Sequence, residues 1–278
     1  MSTLLTGAHG VVGTAVTEHG DRRYTLLDRR PPPGTLPDDT PNPHDERETA
    51  TVDVTDASAL EAACERHDAV VHLAGCPDVD ASFDRVTRDN IRGTHAVLEA
   101  ARKTDVERVV FASSNHVVGM YEEEHAPALY EPDYDLTLDH ESPVRPDSHY
   151  GSSKAACEAW GRQYADRYGI GFYAIRIGSV RPPRWDHPFG DAERGVEAER
   201  WTADSEEYAT SVARLRCTWQ SRRDCAHLVE CCLADETVSF DIFYGVSDNP
   251  ASWFDIAHAR ERVGYAPRDS AADYDRPP

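Results

Sequence analysis

Thr6-Gly7-Ala8-His9-Gly10-Val11-Val12-Gly13 decides the fold of this chain, because its three glycines lie directly between an apolar strand and a helix. Leu4–Thr6 predicts the strand and Val11–Glu18 predicts the helix. Glycine lets the backbone turn tightly and approach a pyrophosphate closely, while the helix amino terminus presents N–H donors and a favourable dipole. A plain strand-to-helix turn also uses glycine, but the position of this one favours a dinucleotide-binding turn.

Apolar runs of strand length alternate with helix-length segments through the first two thirds of the chain. This alternation predicts an α/β fold, a Rossmann-type doubly wound parallel sheet with helices on both faces. The predicted strands are Leu4–Thr6, Tyr24–Asp28, Thr51–Val54, Ala69–Leu73, Arg108–Ala112 and Gly171–Ile177. The predicted helices are Val11–Glu18, Ser58–Arg66, Phe83–Lys103 and His149–Tyr168.

Two regions of unequal size are expected from this pattern. Residues 1–178 form the dinucleotide-binding domain, and residues 179–278 form a small substrate-binding region packed on it, with 222–247 returning to the main sheet. Three segments interrupt the alternation. We interpret 30–48 as a surface loop, 122–147 as part of a substrate rim, and the acidic 182–211 as an irregular lid or flexible insertion.

The net charge is strongly negative. The 278 residues include 50 Asp and Glu against 29 Lys and Arg, which gives a formal charge of −21, and the two lysines are Lys103 and Lys154. A field of this sign repels nucleic acid and anionic lipid, so we expect neither as a partner. An acidic, lysine-poor surface resembles that of proteins from salt-loving archaea, and we interpret it as an adaptation to a salty solvent.

The remaining composition argues for a cytoplasmic protein without a metal. The start, Met1–Gly7, has no basic segment and no long apolar core of the kind a signal peptide has. Seven cysteines form no Cys-x-x-Cys pair, so a disulfide framework is not expected. His227 lies near three of them, but Asp224–Leu233 has the pattern of an amphipathic helix, which favours burial over a metal site.

Polar and small residues at several strand ends indicate the cofactor. Asp28 ends the second strand, where a carboxylate accepts hydrogen bonds from ribose hydroxyls and repels a 2′-phosphate, so it favours NAD over NADP. Arg29 and Arg30 beside it soften that preference, and a solvated acid is the alternative. Further strand ends place Asp53 and Val54 near the adenine, and Leu73, Ala74 and Gly75 close to the cofactor.

Tyr150-Gly-Ser-Ser-Lys154 is the strongest catalytic signal. A spacing of four places the two side chains on one face of a helix, and a nearby ammonium is expected to lower the pKa of the tyrosine, making it an acid or base near neutral pH. Because the chain has only two lysines, a chance match is rare. Upstream, Ser114 ends the fifth strand and is the candidate for a second hydrogen bond to a substrate oxygen, although such serines also cap turns.

Together these motifs resemble the extended short-chain dehydrogenase/reductase family of NAD-dependent epimerases, dehydratases and sugar dehydrogenases. Within it, Ser113–Tyr121 resembles a narrower signature shared by uronate dehydrogenases and haloarchaeal NAD-dependent glucose-6-phosphate dehydrogenases. Arg223–Cys232 and Tyr244–Asn249 resemble the haloarchaeal enzymes.

The resemblance implies oxidation of a cyclic aldose at its anomeric carbon to a lactone. Tyr150, Lys154 and Ser114 would be catalytic, and Ser114, Asn115, His116, Tyr150 and Arg214 would bind the sugar, with Arg214 at the position that uronate dehydrogenases direct at a carboxylate. The implied NAD contacts are Gly7, His9, Gly10, Val11, Val12, Gly13, Asp28, Asp53, Val54, Leu73, Ala74, Gly75, Asn90, Tyr150, Lys154 and Ile177. A homodimer or higher homo-oligomer is implied as well.

The sugar stays open between glucose-6-phosphate, arabinose, glucose and a uronate. Pro77 departs from the uronate dehydrogenases, and residues 191–207 carry seven acids against two arginines, which disfavours a phosphate unless Arg184, Arg214 or Arg216 offsets them. The alternatives are a nucleotide-sugar epimerase or dehydratase with tightly bound NAD, for which the 124 residues after Lys154 leave little room, and an NAD-sensing regulator.

Overall fold

A parallel sheet forms the centre of the protein, which is described here from a computed structural model covering residues 1–44, 48–131 and 133–278. In these ranges the sheet has seven strands in the order β3-β2-β1-β4-β5-β6-β7, and all neighbours are parallel. The strands are β1 Thr3–Thr6, β2 Tyr24–Asp28, β3 Thr49–Thr51, β4 Ala69–His72, β5 Arg108–Ser114, β6 Gly171–Ile177 and β7 Phe240–Gly245. The order reverses between β1 and β4, where ligands bind in open α/β sheets.

Helices cover both faces of the sheet. They are α1 Val11–His19, α2 Ala57–Cys64, α3 Phe83–Val86, α4 Gly93–Lys103, α5 Met120–His125, α6 His149–Tyr168, α7 Gly190–Glu197, α8 Glu206–Thr218, α9 Arg222–Ala234 and α10 Ala257–Val263. On one face, Val16 of α1 and Leu228 of α9 pack in a buried apolar layer. On the other, Leu60 of α2, Val97 of α4 and Cys157 of α6 form a second layer. This arrangement confirms the predicted doubly wound sheet.

Several boundaries in the structure differ from the predicted ones. The third strand was predicted at Thr51–Val54 but spans Thr49–Thr51, because Asp53 accepts hydrogen bonds from the Thr55 N–H and hydroxyl and so turns the chain out of the sheet. The predicted helix Phe83–Lys103 is helical throughout but includes a π-helical turn, Thr87–Arg92, between α3 and α4.

The prediction that 182–211 is irregular was wrong. This segment holds α7 and the beginning of α8. Ser205 caps α8 by accepting the Tyr208 N–H. The acidic residues also favour the helix, because Glu206 and Glu207 lie in its first turn, where the helix dipole stabilises negative charge.

The other two interruptions connect elements of the sheet. The loop predicted at 30–48 joins β2 to β3 in its described part, while residues 45–47 lie outside the described residues. Residues 122–147 begin inside α5 and include a short helical turn, Ala128–Tyr130. In the described portion of the chain, no helix is both long and apolar enough to cross a membrane.

Candidate active site

A cleft of about 880 Å³ lies at the carboxyl ends of the strands. Its lining includes every predicted site residue except Asn90: Gly7, His9, Gly10, Val11, Val12, Gly13, Asp28, Asp53, Val54, Leu73, Ala74, Gly75, Ser114, Asn115, His116, Tyr150, Lys154, Ile177 and Arg214. Residues distant in sequence therefore meet at one crevice, as parallel strand ends predict.

Two of the three glycines in the loop have no room for a side chain. Gly7 has a φ of +72°, and a Cβ on it would lie 2.6 Å from the Ala74 backbone nitrogen. A Cβ on Gly13 would lie 2.5 Å from the carbonyl oxygen of Gly7. The loop is thus a cradle of bare backbone directly before α1, which fits a pyrophosphate.

Asp28 is held at the edge of the cleft. Its Oδ2 accepts the His9 N–H at 3.1 Å, so the carboxylate is tied to the glycine loop. Arg29 and Arg30 both line the cleft, and Arg29 lies 3.6 Å from the Asp89 carboxylate, with which it pairs. The position of Asp28 fits ribose hydroxyls.

Asp53 lines the cleft although it lies beyond its strand. Its Oδ2 pairs with Arg88 at 2.9 Å, and hydrogen bonds from Thr55 lower the pKa of its carboxyl, with the Arg88 charge adding to them. The carboxylate is ionised and still has an accepting edge. Its contact with adenine stays a prediction.

Asn90 is not among the lining residues, but its Oδ1 lies next to one of them, since a Cβ on Gly75 would be 2.8 Å from it. In the π-helical turn its side chain is buried, and its Oδ1 accepts the Cys76 N–H at 2.7 Å while its Nδ2 donates to the Cys76 carbonyl and, at 2.8 Å, to the Ser153 hydroxyl. These bonds use both N–H donors of the Asn90 amide but only one acceptor site of Oδ1, and they anchor the loop after β4 to α6. The contact of Asn90 with the cofactor stays a prediction.

Tyr150 and Lys154 are buried on α6. Lys154 Nζ donates to the Ala112 carbonyl at 2.7 Å, and burial lowers the pKa of its ammonium to about 8. Burial raises the pKa of Tyr150 above its usual value, and a hydrogen bond from Ser114 opposes that rise. The expected lowering of the Tyr150 pKa was wrong, because removal of the phenol from water has the largest effect and raises the pKa.

Ser114, Asn115 and His116 follow one another at the end of β5. The backbone N–H of His116 donates to the Ser114 hydroxyl at 3.2 Å, and the centres of the His116 and Tyr150 rings lie 5.8 Å apart. His116 Nδ1 lies 2.6 Å from Asp147 Oδ2, which fixes the ring orientation. Ser114 and His116 therefore lie beside Tyr150, and Asn115 lines the same cleft. Their contacts with a sugar stay predictions.

The predicted substrate rim at 122–147 was wrong in one respect, since none of its described residues lines the cleft. Two residues of this segment instead contact side chains that line the cleft. Asp147 holds His116, and Glu122 pairs with Arg214.

Other charged residues of the cleft were missed. Arg181 follows β6, so it could have been predicted from the rule that ligands bind at the carboxyl ends of parallel strands. Asp191 and Arg194 lie on α7, within the segment 182–211 that was interpreted as a lid or insertion, but neither was predicted as a site residue. In the part of the chain described here, no group of three or more His, Cys, Asp and Glu could hold a metal ion.

A comparison with protein families decides the assignment. The model of the NAD dependent epimerase/dehydratase family matches residues 3–227. The chain belongs to this family.

Individual relatives are sugar dehydrogenases. An NAD-dependent glucose-6-phosphate dehydrogenase of Haloferax volcanii is 39% identical over 275 residues, 98% of this chain and 94% of the relative. An L-arabinose 1-dehydrogenase (NAD(P)+) of the same organism is 38% identical over 84% of this chain and 89% of its own length. The crystal structure of a uronate dehydrogenase variant from Agrobacterium tumefaciens complexed with NAD has a TM-score of 0.71 at 28% identity, covering 98% of this chain and 86% of that one.

Proposed function

We propose that the protein is an NAD-dependent aldose 1-dehydrogenase, which oxidises the anomeric hydroxyl of a cyclic sugar to a lactone. The observation that carries this proposal is the meeting of Tyr150, Lys154 and Ser114 in one cleft with the glycine cradle and Asp28. The similarity to sugar dehydrogenases over nearly the whole chain supports it.

The mechanism assigns one task to each residue. Tyr150 takes the proton of the C1 hydroxyl, and the Ser114 hydroxyl donates its hydrogen bond to the same oxygen as negative charge develops there. Lys154, held by the Ala112 carbonyl, keeps N–H donors for the hydroxyls of the nicotinamide ribose. NAD, when bound, supplies the acceptor for the hydride that C1 loses. C1 thereby becomes a carbonyl carbon.

NAD fits the cradle and is the proposed cofactor. Bare glycine backbone precedes α1, and the Asp28 carboxylate lies where a 2′-phosphate would meet negative charge. Fifteen of the sixteen predicted contacts, all except Asn90, line the same cleft.

Glucose-6-phosphate or a related aldose is the proposed substrate. Among the arginines of the cleft, Arg181 pairs with Asp191 and Arg214 pairs with Glu122. Arg194 is exposed, lines the cleft and makes no ion pair with any described residue. It is therefore a cation that a sugar phosphate can reach.

A substrate panel at molar salt tests the proposal. Glucose-6-phosphate, glucose, arabinose, galactose and glucuronate are each incubated with NAD or NADP, and NADH or NADPH formation is followed by absorbance. Steady NADH accumulation from at least one free aldose is expected. An epimerase or dehydratase with tightly bound NAD would release none.

Tyr150→Phe tests the mechanism. We expect turnover to fall by at least ~10²-fold, the lower range for acid–base catalysis, with NAD affinity unchanged. Tyr168→Phe, on an exposed ring at the end of the same helix, is the matched control and should keep full activity. Retained turnover in Tyr150→Phe would refute the mechanism. Cytoplasmic location and a homodimer or higher homo-oligomer stay predictions.

A further inference from the structure

Arg214 reaches the cleft with its charge already paired. Its Nε donates to Glu122 Oε1 at 2.5 Å and its Nη2 donates to Glu122 Oε2 at 3.1 Å. The Tyr130 hydroxyl donates to the same Oε1 at 2.9 Å. The side chain of Glu122 is 15% exposed and that of Arg214 is 29% exposed, so water screens this pair only in part.

Glu122 acts through Arg214. Arg214 lines the cleft, whereas Glu122 lies outside the lining, on α5 behind it. A guanidinium has five N–H donors, and the bidentate contact occupies the edge formed by Nε and Nη2. Nη1 makes no hydrogen bond within the described residues, so Arg214 keeps donors for a ligand.

The pairing changes what those donors can bind. A hydroxyl oxygen needs only an N–H, which a paired guanidinium still provides. A carboxylate needs a net positive charge, and next to Arg214 it would also meet the negative charge of Glu122. Arg181 offers no replacement, because Asp191 binds it in the same bidentate way at 2.6 and 2.5 Å. Arg194 of α7, which no described residue pairs with, remains for a charged group at another position of the sugar, such as a phosphate.

We propose that Glu122 is a positioning residue that sets substrate specificity: by neutralising Arg214 it selects sugars that present an uncharged hydroxyl there and rejects sugars with a carboxylate on the ring, such as uronates. This inference rests on the proposed aldose 1-dehydrogenase function.

Glucose and glucuronate differ only at C6, so they form a matched pair for the test. Glu122→Gln keeps an oxygen that can accept from Arg214 and Tyr130 but removes the negative charge. We expect kcat/KM for glucuronate to rise at least tenfold, mainly through a lower KM, which corresponds to about 1.4 kcal/mol. The value for glucose should not rise.

Glu124→Gln is the matched control. Glu124 lies on the same helix and pairs with Arg145 outside the cleft, so its replacement changes the net charge equally and should leave both sugars unaffected. A merely structural role of Glu122 would lower both activities together. A gain below twofold for glucuronate, or an equal gain for glucose, would overturn the proposal.

The wild-type enzyme offers a test that needs no variant. Glucuronate, added as a competitor during oxidation of the best neutral or phosphorylated aldose, should bind at least tenfold more weakly than glucose does in the same assay. Equal or tighter binding of glucuronate would also overturn the proposal. Failure of every aldose to produce NADH would instead refute the proposed function.

Discussion

Replacing Glu158 by Gln removes the negative partner of a buried arginine beneath the active site. The Glu158 carboxylate on α6 accepts Arg176 Nε at 3.0 Å and Nη2 at 2.9 Å, and also the Ser113 hydroxyl at 2.6 Å. Arg176 on β6 donates further to the Tyr244 hydroxyl at 3.0 Å. The side chains of Arg176 and Glu158 are 1% and 6% exposed, so water cannot solvate a charge left behind.

The expected loss follows from that burial. Breaking one partner of a buried ion pair costs ~3–5 kcal/mol, because the remaining charge stays uncompensated. Glutamine retains one accepting oxygen, so some of the bonds from Arg176 and Ser113 persist. We therefore expect Glu158→Gln to lower the free energy of unfolding by about 3 kcal/mol.

Urea unfolding at molar salt measures this loss. Asp166→Asn is the control, because Asp166 pairs with Arg162 on the same helix at 2.9 Å but both side chains are more than half exposed, at 56% and 60%. An exposed pair at this spacing contributes only ~0.3–0.5 kcal/mol. The double replacement of Glu158 and Arg176 by Met should recover most of the loss, since no buried charge remains.

Two results would refute this reasoning. One is a loss in Glu158→Gln below about 1 kcal/mol, or equal to that in Asp166→Asn, which would mean that water reaches the Arg176 guanidinium. The other is a double variant less stable than Glu158→Gln, which would mean that the network stabilises by shape and hydrogen bonding rather than by charge pairing.

Three further outcomes follow from the cradle, the buried lysine and the surface charge. Gly7→Ala should lose more than ~2 kcal/mol of stability and most NAD affinity, measured by unfolding and by cofactor titration, because a Cβ would meet the Ala74 backbone at a positive φ. Lys154→Met should be inactive, yet its free energy of unfolding below pH 8 should be about 2 kcal/mol higher than that of the wild type. Burying the ammonium, which lowers its pKa from 10.5 to about 8, destabilises the wild type by roughly 3 kcal/mol, and the hydrogen bond to Ala112 that the variant loses is worth about 1 kcal/mol. Between pH 8 and 10.5 the folded protein binds fewer protons than the unfolded chain, so the wild type gains stability as the pH rises through this range. The stability advantage of the variant should therefore vanish by about pH 10.5. A stability difference that does not change with pH would contradict this. With 50 acidic against 29 basic residues, unfolding should require less urea at low salt than at molar salt, and an unchanged midpoint would argue against salt adaptation.

Local signals predicted most of the fold. The bounds of β2, β6 and α6 were predicted correctly at Tyr24–Asp28, Gly171–Ile177 and His149–Tyr168, because apolar periodicity and capping act within a few residues. The prediction for the acidic segment 182–211 was wrong because its many charges were interpreted as a sign of irregular structure, although glutamate forms helices well.

The sequence by itself determined the sheet, the glycine cradle and the placing of Tyr150 and Lys154 on one helix face, since each depends on neighbours along the chain. Tertiary structure alone decided the electrostatic state of the site. Glu122 and Arg214 are 92 positions apart, and no periodicity links them. Whether Tyr150 titrates above or below its usual pKa likewise depends on burial by distant segments, because desolvation and charge pairing are set by what surrounds a side chain in space.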